Sequence, residues 1–372
     1  MSNRIYVASR KGLLTLDKTG SGDWKVTRTA FLGDPVSAIL PDSRDNSVYA
    51  ALDLGHFGVK LHRSRDGGDT WEECAVPLYP KDAGLEEPVW TGDGPPPASN
   101  KTLKLIWILE TGGKNEPGVI YAGTNPGGLF RSTDGGSSWA LIEALWDQPE
   151  REKWMGAVYN APGIHSICVH PTDSKQISVA VSSGGVWQTK DGGETWASRA
   201  KGMRAAYMPP DLAYSEIYQD PHRMVQCQND PTVFWAQHHN GIFRSTDGAN
   251  SWQELTDVPP SVFGFAVAVH PNDPDTAWFV PAIKDEKRFP VNAQVVVSRT
   301  RDGGKTFDVL RNGLPQEHAY DLVYRHSLDI DPTGNSLVMG STTGSLWVTE
   351  DQGDNWKIIN AHLPPIYAVR FA

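Results

Sequence analysis

STDGGSSW, residues 132–139, decides the fold, because the chain repeats it. SRDGGDTW (64–71), TKDGGETW (189–196), STDGANSW (245–252), TRDGGKTF (300–307) and TEDQGDNW (349–356) follow the same Ser/Thr-x-Asp-x-Gly-x-x-Trp pattern. TLDKTGSGDW (15–24) reads as a degenerate seventh copy. An aspartate here can accept hydrogen bonds from the N–H groups of its own turn. The glycines admit positive φ. The tryptophan falls on the returning strand, where its ring packs into a sheet. Each copy therefore predicts a hairpin turn between two strands, and runs such as GGLFRST (127–133) supply the strand before it.

The aspartates stand at 17, 66, 134, 191, 247, 302 and 351, with gaps of 49, 68, 57, 56, 55 and 49 residues. A full unit is visible over 164–199 as IHSICVHP, QISVAVS, GGVWQTK and DGGETW. Four antiparallel strands at a period of about fifty residues make a propeller blade, and seven turns imply seven blades. The expectation is an all-β, seven-bladed propeller occupying 1–372 as one domain. RIYVAS (4–9) opens the chain as a second strand, and PPIYAVRFA (364–372) closes it as an extra first strand. The C-terminal strand should therefore complete blade one and leave no open edge.

Composition narrows the function. The net charge of −10 argues against a nucleic-acid binder, which needs a basic face. Cys74, Cys168 and Cys227 are odd in number and unpaired in spacing, so neither a disulfide framework nor a thiolate zinc site is expected. The first residues, MSNRIYVASRKGLLTL, read directly as strand, which leads us to expect no leader, no membrane segment and a cytoplasmic protein.

The repeated motif resembles the Asp-box of bacterial neuraminidase repeats and sortilin-type propellers. The whole chain is similar to bacterial Asp-box propellers labelled sialidase-like or glycosyl hydrolase-like, with SRKGL (9–13), GHFG (55–58), HRM (222–224), QHHNG (237–241) and FGF…HPNDPDT (263–276) matching that group. Sialidase chemistry would need three arginines on one substrate carboxylate beside a Tyr–Glu pair. Arg10, Arg223, Arg288 and Arg325 are the candidates. The Phe/Tyr-Arg-Ile-Pro motif of sialidases has no counterpart at the N-terminus; KRFPV (287–291) looks similar but falls in a blade-six loop.

Strand order places the aspartate turns on one face and the long loops, 76–102, 141–163, 198–221 and 281–294, on the other. Long loops on a repeat scaffold carry function. On that face three innermost strands begin with histidine: His165, His222 and His326 lie 20, 19 and 18 residues before Gly185, Gly241 and Gly344. His56 and His239 come from loops of the same face, and His238 alternates with His239, so one of that pair points inward. Imidazoles converging on the channel mouth suit one divalent metal, with His56, His165, His222, His239 and His326 as ligands. Without metal, His165, His222 and His326 would work as acid and base, with Arg288 and Lys11 as cationic partners. His170 and His270, each before a proline, read as turn residues of the opposite face. Trp90, Trp154 and Tyr214 are stacking candidates, each weighed against simple loop packing, and Tyr320, Asp321 and Tyr324 precede the last inner strand. The reading is a hydrolase or lyase acting on a small polar or glycan-like substrate, with no nucleic-acid or membrane partner. The alternatives are a non-enzymatic binding or assembly propeller and an exo-sialidase.

Overall fold

The computed structural model describes residues 2–80, 102–156 and 161–372. Seven four-stranded antiparallel sheets form a closed ring, each innermost strand packing on the next. From blade two to blade seven the innermost strands are Val36–Asp42, Leu105–Thr111, Ile164–Val169, Pro221–Gln226, Gly264–Val269 and Leu328–Ile330. Ile366–Phe371 is the innermost strand of blade one and pairs antiparallel with Arg4–Ser9. The first and last strands thus share one sheet, as the sequence led us to expect. No helix among the described residues is long and apolar enough to cross a membrane.

Packing between blades follows from strand alternation. Second strands such as Ser47–Asp53, Ile177–Val181 and Phe234–His238 are apolar on both faces because both faces meet a neighbouring blade. Trp235, Trp278 and Trp347 are fully buried in these layers.

The repeated turns have the expected chemistry. Asp134 accepts from Ser138 N (2.8 Å) and Ser138 Oγ (2.6 Å), while Ser132 Oγ accepts Gly136 N (2.8 Å). Gly135 and Gly136 take φ of +68° and +85°. In STDGANSW the second glycine is replaced by Ala249, held at φ +67°, so the turn imposes the conformation even where a side chain opposes it. Two tryptophans also do more than pack: the indole N–H groups of Trp139 and Trp252 donate to Ala75 O (2.9 Å) and Arg199 O (2.7 Å) of the preceding blade.

The degenerate copy behaves differently. Asp17 lies within the strand Gly12–Lys18 and bonds Arg4 Nε (2.7 Å) and Thr27 Oγ1 (2.5 Å) instead of turn N–H groups. Its spacing to the next glycine is too long for the carboxylate to fold back over the turn.

Candidate functional site

Six innermost strands carry a register shift at one equivalent place. The ladder skips Ser37, Trp107, His165, His222 and Tyr367, and the Phe265–Ala266 pair in blade six. A bulge leaves one residue unpaired and re-aims its side chain. In blade seven the place is taken by His326, just before the strand Leu328–Ile330, with a parallel bridge to Ala368 of the closing strand. The three histidines singled out from sequence therefore share one structural position.

Side chains from this ring meet. Trp107 packs edge-on to His165 (5.4 Å), and His222 stacks on Phe265 (4.4 Å, 11° between planes). The guanidinium of Arg325 lies 4.9 Å from the Trp107 ring centre and 5.2 Å from that of Phe265. Blades three, six and seven thus converge on the axis.

The histidines nevertheless split into two pairs. His326 Nε2 is 2.7 Å from His165 O, and a carbonyl only accepts, so Nε2 carries the proton and donates. Arg223 Nη1 donates to the same carbonyl (3.2 Å), and Ser166 Oγ lies 3.0 Å from His165 Nδ1. Burial pushes both imidazoles well below the ordinary histidine value, so both are neutral. This pair is an internal brace between blades four and seven.

His222 and His239 instead meet at Asp220. His239 Nδ1 is 3.4 Å and His222 Nε2 3.8 Å from Asp220 Oδ2, and the three donor atoms lie within 4.8 Å of one another. Asp220 is anchored by Ser182 Oγ and Ser183 N (both 3.2 Å), and its own N–H donates to His238 Nε2 (3.0 Å). His238 therefore holds Asp220 from behind, and His239 is the one that joins the cluster. His222 Nδ1 sits 2.7 Å from Gly264 O and must donate to it. Burial takes His222 down to about 3, so it is neutral, and its Nε2 presents a bare lone pair towards a carboxylate. Burial opposes ionisation of Asp220, but its hydrogen bond with His239 and the nearby cationic groups hold it below the usual carboxylate range. That same hydrogen bond raises His239. With 24% of its side chain exposed, His239 is also the most accessible of the three. Tyr207 and Phe263 frame it at 5.0 and 6.1 Å.

Of the five metal-ligand candidates, the structure brings together His222 and His239. His56 is exposed on a short 3-10 turn, its ring tilted against Phe57 (4.0 Å between centres) outside the cluster. His165 and His326 are outside it as well. Lys11 is exposed on the blade-one turn, and Arg288 is held by Asp285 (Nε to Oδ1 3.0 Å) with its guanidinium 5.4 Å from Phe265. Of the sialidase arginines, Arg10 is exposed and Arg223 lines a polar cavity of about 730 Å³ at the other end of the channel, with Arg44, Glu110 and His170. Arg288 is committed to Asp285. Arg325 is left at the mouth. His170 and His270 accept turn N–H groups through Nδ1, from Thr172 (3.3 Å) and Asn272 (3.1 Å). Trp154 is buried against Trp187, Tyr214 is exposed, and Trp90 lies outside the described residues.

Sequence reading missed Asp220. The signal was QDPHRM (219–224): Asp220 and His222 are two apart on backbone that Pro221 keeps extended, which places both on one side.

No family model matches the chain. A sialidase of Bacteroides fragilis is 29% identical over 172 residues, 42% of this chain and 31% of that protein. The GH74 xyloglucanase from Xanthomonas campestris superposes with a TM-score of 0.63 at 17% identity, over 97% of this chain and 53% of the other. The structure titled YCF48 bound to D1 peptide superposes with a TM-score of 0.57 at 13% identity, over 94% of this chain and 90% of the other. The chain spans less than a third of the length of the first curated relatives it matches, xyloglucanases and this sialidase. Sequence similarity thus runs to glycosyl hydrolase propellers at low identity, and the solved structures share the fold.

Proposed function

We propose that the axial mouth is the active site of a hydrolase or lyase acting on a carbohydrate-like substrate, on an Asp-box propeller. The observation that carries this reading is the Asp220–His222–His239 cluster, with its donor atoms within 4.8 Å. An ionised Asp220 orients His239 and raises its basicity, which suits a proton-transferring group near neutral pH. His222, neutral and with Nδ1 fixed by Gly264 O, offers an acceptor beside it. Tyr207, 44% exposed beside His239, offers an aromatic face for a sugar ring. Similarity to carbohydrate hydrolases supports the substrate class.

The same three residues fit a divalent metal. Ligand atoms bound tetrahedrally at about 2.1 Å lie about 3.4 Å apart. Asp220 Oδ2 is 3.4 and 3.8 Å from the two imidazole nitrogens. A cation would satisfy the bare His222 lone pair and the carboxylate together. Bound there, it would supply Lewis acidity and an activated water. A non-enzymatic peptide- or protein-binding propeller is the second reading, prompted by the fold shared with the structure titled YCF48 bound to D1 peptide.

The deciding experiment is turnover on a panel of glycosides and oligosaccharides, with metal content measured on the same protein before and after dialysis against chelator. Loss of turnover in Asp220→Asn and His239→Ala, both folded, supports the reading. Retention of full turnover in both variants, or no turnover of any glycan by the metal-loaded protein, overturns it.

A further inference from the structure

We propose that the floor of the axial channel, opposite the mouth, is a second binding site, and that its ligand is a neutral cyclic polyol of the inositol or hexose type. This inference is independent of the reading of the mouth.

Below the bulges the innermost strands form a second ring. Blade three places Glu110 in it, blade seven Asp329 and blade one Arg370, each three residues after Trp107, His326 and Tyr367. Arg223 of blade five joins them: both carboxylates feel its charge and that of Arg370, and the two arginines repel each other. Around the axis the signs therefore alternate, positive on blades one and five, negative on blades three and seven.

The four groups do not close on one another. Among the described residues no ion pair joins any two of them. Glu110 Oε1 accepts from its neighbour Thr111 (N 2.9 Å, Oγ1 3.3 Å), and Asp329 Oδ2 from Phe371 N (2.8 Å). Arg223 Nη1 donates to His165 O (3.2 Å) and Arg370 Nη1 to Val369 O (2.9 Å). Nε and Nη2 of Arg223 and Oε2 of Glu110 make no hydrogen bond among the described residues, and none of them is shut in, so they open into the cavity that both residues line. Burial raises both carboxyls and brings Arg223 down to about 10, as expected of charges that their neighbours offset only in part. A set that served only to brace the blades would close into ion pairs, as Arg44 does with Asp42 (2.6 Å) at the edge of the same cavity.

The space suits a small ligand. The cavity of about 730 Å³ holds Glu110 and Arg223, and an adjoining one of about 500 Å³ holds Asp329 and shares Arg223, Gln226 and Gln228 with it. Small-molecule sites fall in this range. The floor is also separate from the mouth, because His326 Nε2 reaches His165 O across the bore and neither histidine lines either cavity.

Alternation of charge selects the ligand. A molecule of either net charge meets two like charges. A hydroxyl donates to a carboxylate while accepting from a guanidinium, so one hydroxyl between groups of opposite sign satisfies both. A cyclic polyol carries such hydroxyls around its circumference, as the blades carry the charges around the axis. Cys168, Val225 and Ala268 stand at the same step on blades four, five and six and offer apolar surface to its C–H faces.

The test is calorimetric titration of the full chain with myo-inositol, glucose, glucose 6-phosphate and serine, the last a zwitterion. We expect myo-inositol or glucose to bind more tightly than the phosphate and the zwitterion by about tenfold or more. Combining Glu110→Gln with Asp329→Asn keeps the shape, removes both negative charges and should weaken that binding about tenfold. If this variant does not fold, Gln228→Ala, on an exposed lining residue, should still weaken it a few-fold. His239→Ala at the mouth should leave it unchanged. Absence of polyol binding, equal or tighter binding of serine or glucose 6-phosphate, or polyol binding that is lost in His239→Ala and unchanged in the floor variants overturns the proposal. Polyol binding that depends on Glu110 and Asp329 in a protein without turnover keeps this inference and sinks the enzyme. Turnover in a protein whose floor binds no polyol does the reverse.

Discussion

Truncating Ile366 to alanine should weaken the whole ring, because the closing strand is the one element that joins the two ends of the chain. Ile366 is fully buried in the cluster of Ile5, Val7, Val338, Leu346 and Val369. Its Cγ2 lies where a side chain on Gly340 would be only 2.5 Å away, so bare backbone packs on it and no neighbouring side chain can swing in to fill the hole. A buried Ile→Ala change that leaves a cavity costs roughly 2–5 kcal/mol, and this site belongs in the middle, at about 3 kcal/mol. Unfolding entropy of about 2.1 cal/mol/K per residue makes each kcal/mol worth about 1.3 °C in a chain of 372 residues. The melting temperature should therefore fall by about 4 °C. Adding Val369→Ala and Phe371→Ala should bring the total to about 8 kcal/mol, within the range of a typical protein's entire stability. The assay is urea unfolding followed by tryptophan fluorescence, with Ile358→Ala as control, since Ile358 is 47% exposed on the outer strand of blade seven. Equal midpoints for Ile366→Ala and Ile358→Ala would refute the closure argument. The variant should also disturb the mouth, because Val369 N donates to His326 O (2.9 Å).

Three further outcomes follow from the site and the turns. Asp220→Asn removes the charge that raises His239, so any limb of the pH–rate profile owed to His239 should move to lower pH, with kcat/KM down by about 10²–10⁴; an unmoved limb would exclude His239. For stability the sign is that of a raised histidine: the contribution is complete below the ordinary value and lost as pH rises through the folded one. Manganese or zinc at about 100 times Kd should raise the melting temperature of chelator-treated protein by about 3.5 °C, matching about 2.7 kcal/mol of linkage; the rise should vanish in His239→Ala and persist in His56→Ala. Asp134 and Asp302 are held at about 2 by Ser138 and Thr306, so their turns should be intact above about pH 4 and loosen as pH falls towards 2. Amide exchange at Ser138 and Thr306 over that interval measures it, and flat protection would remove the carboxylates from the turn.

Much of this molecule was legible because repetition amplifies weak local signals. One STDGGSSW is a turn; six at near-constant spacing are a propeller. The degenerate copy shows the limit, since Asp17 kept the residue type and lost the geometry, pairing with Arg4 instead. The histidine heads were legible too, because His165, His222 and His326 share a sequence register that the bulges turn into a structural one. Their roles were not. Nothing in IHS, PHR or RHS says which imidazole will donate to a carbonyl and which will face a carboxylate.

The amino-acid sequence by itself determined the seven blades, their order and the closing strand, because hairpin turns and strand alternation act over a few residues at a time. The tertiary structure decided the site. Ring closure brings His326 of blade seven onto the carbonyl of His165 in blade four, spending one pair of histidines on a brace. It leaves Asp220, His222 and His239 of blade five facing one another, and Arg325 between rings of blades three and six. The His326–His165 contact and the rings around Arg325 join residues far apart in the chain, and within blade five side-chain direction and burial decide which imidazole meets Asp220, neither of which is fixed by residue type alone.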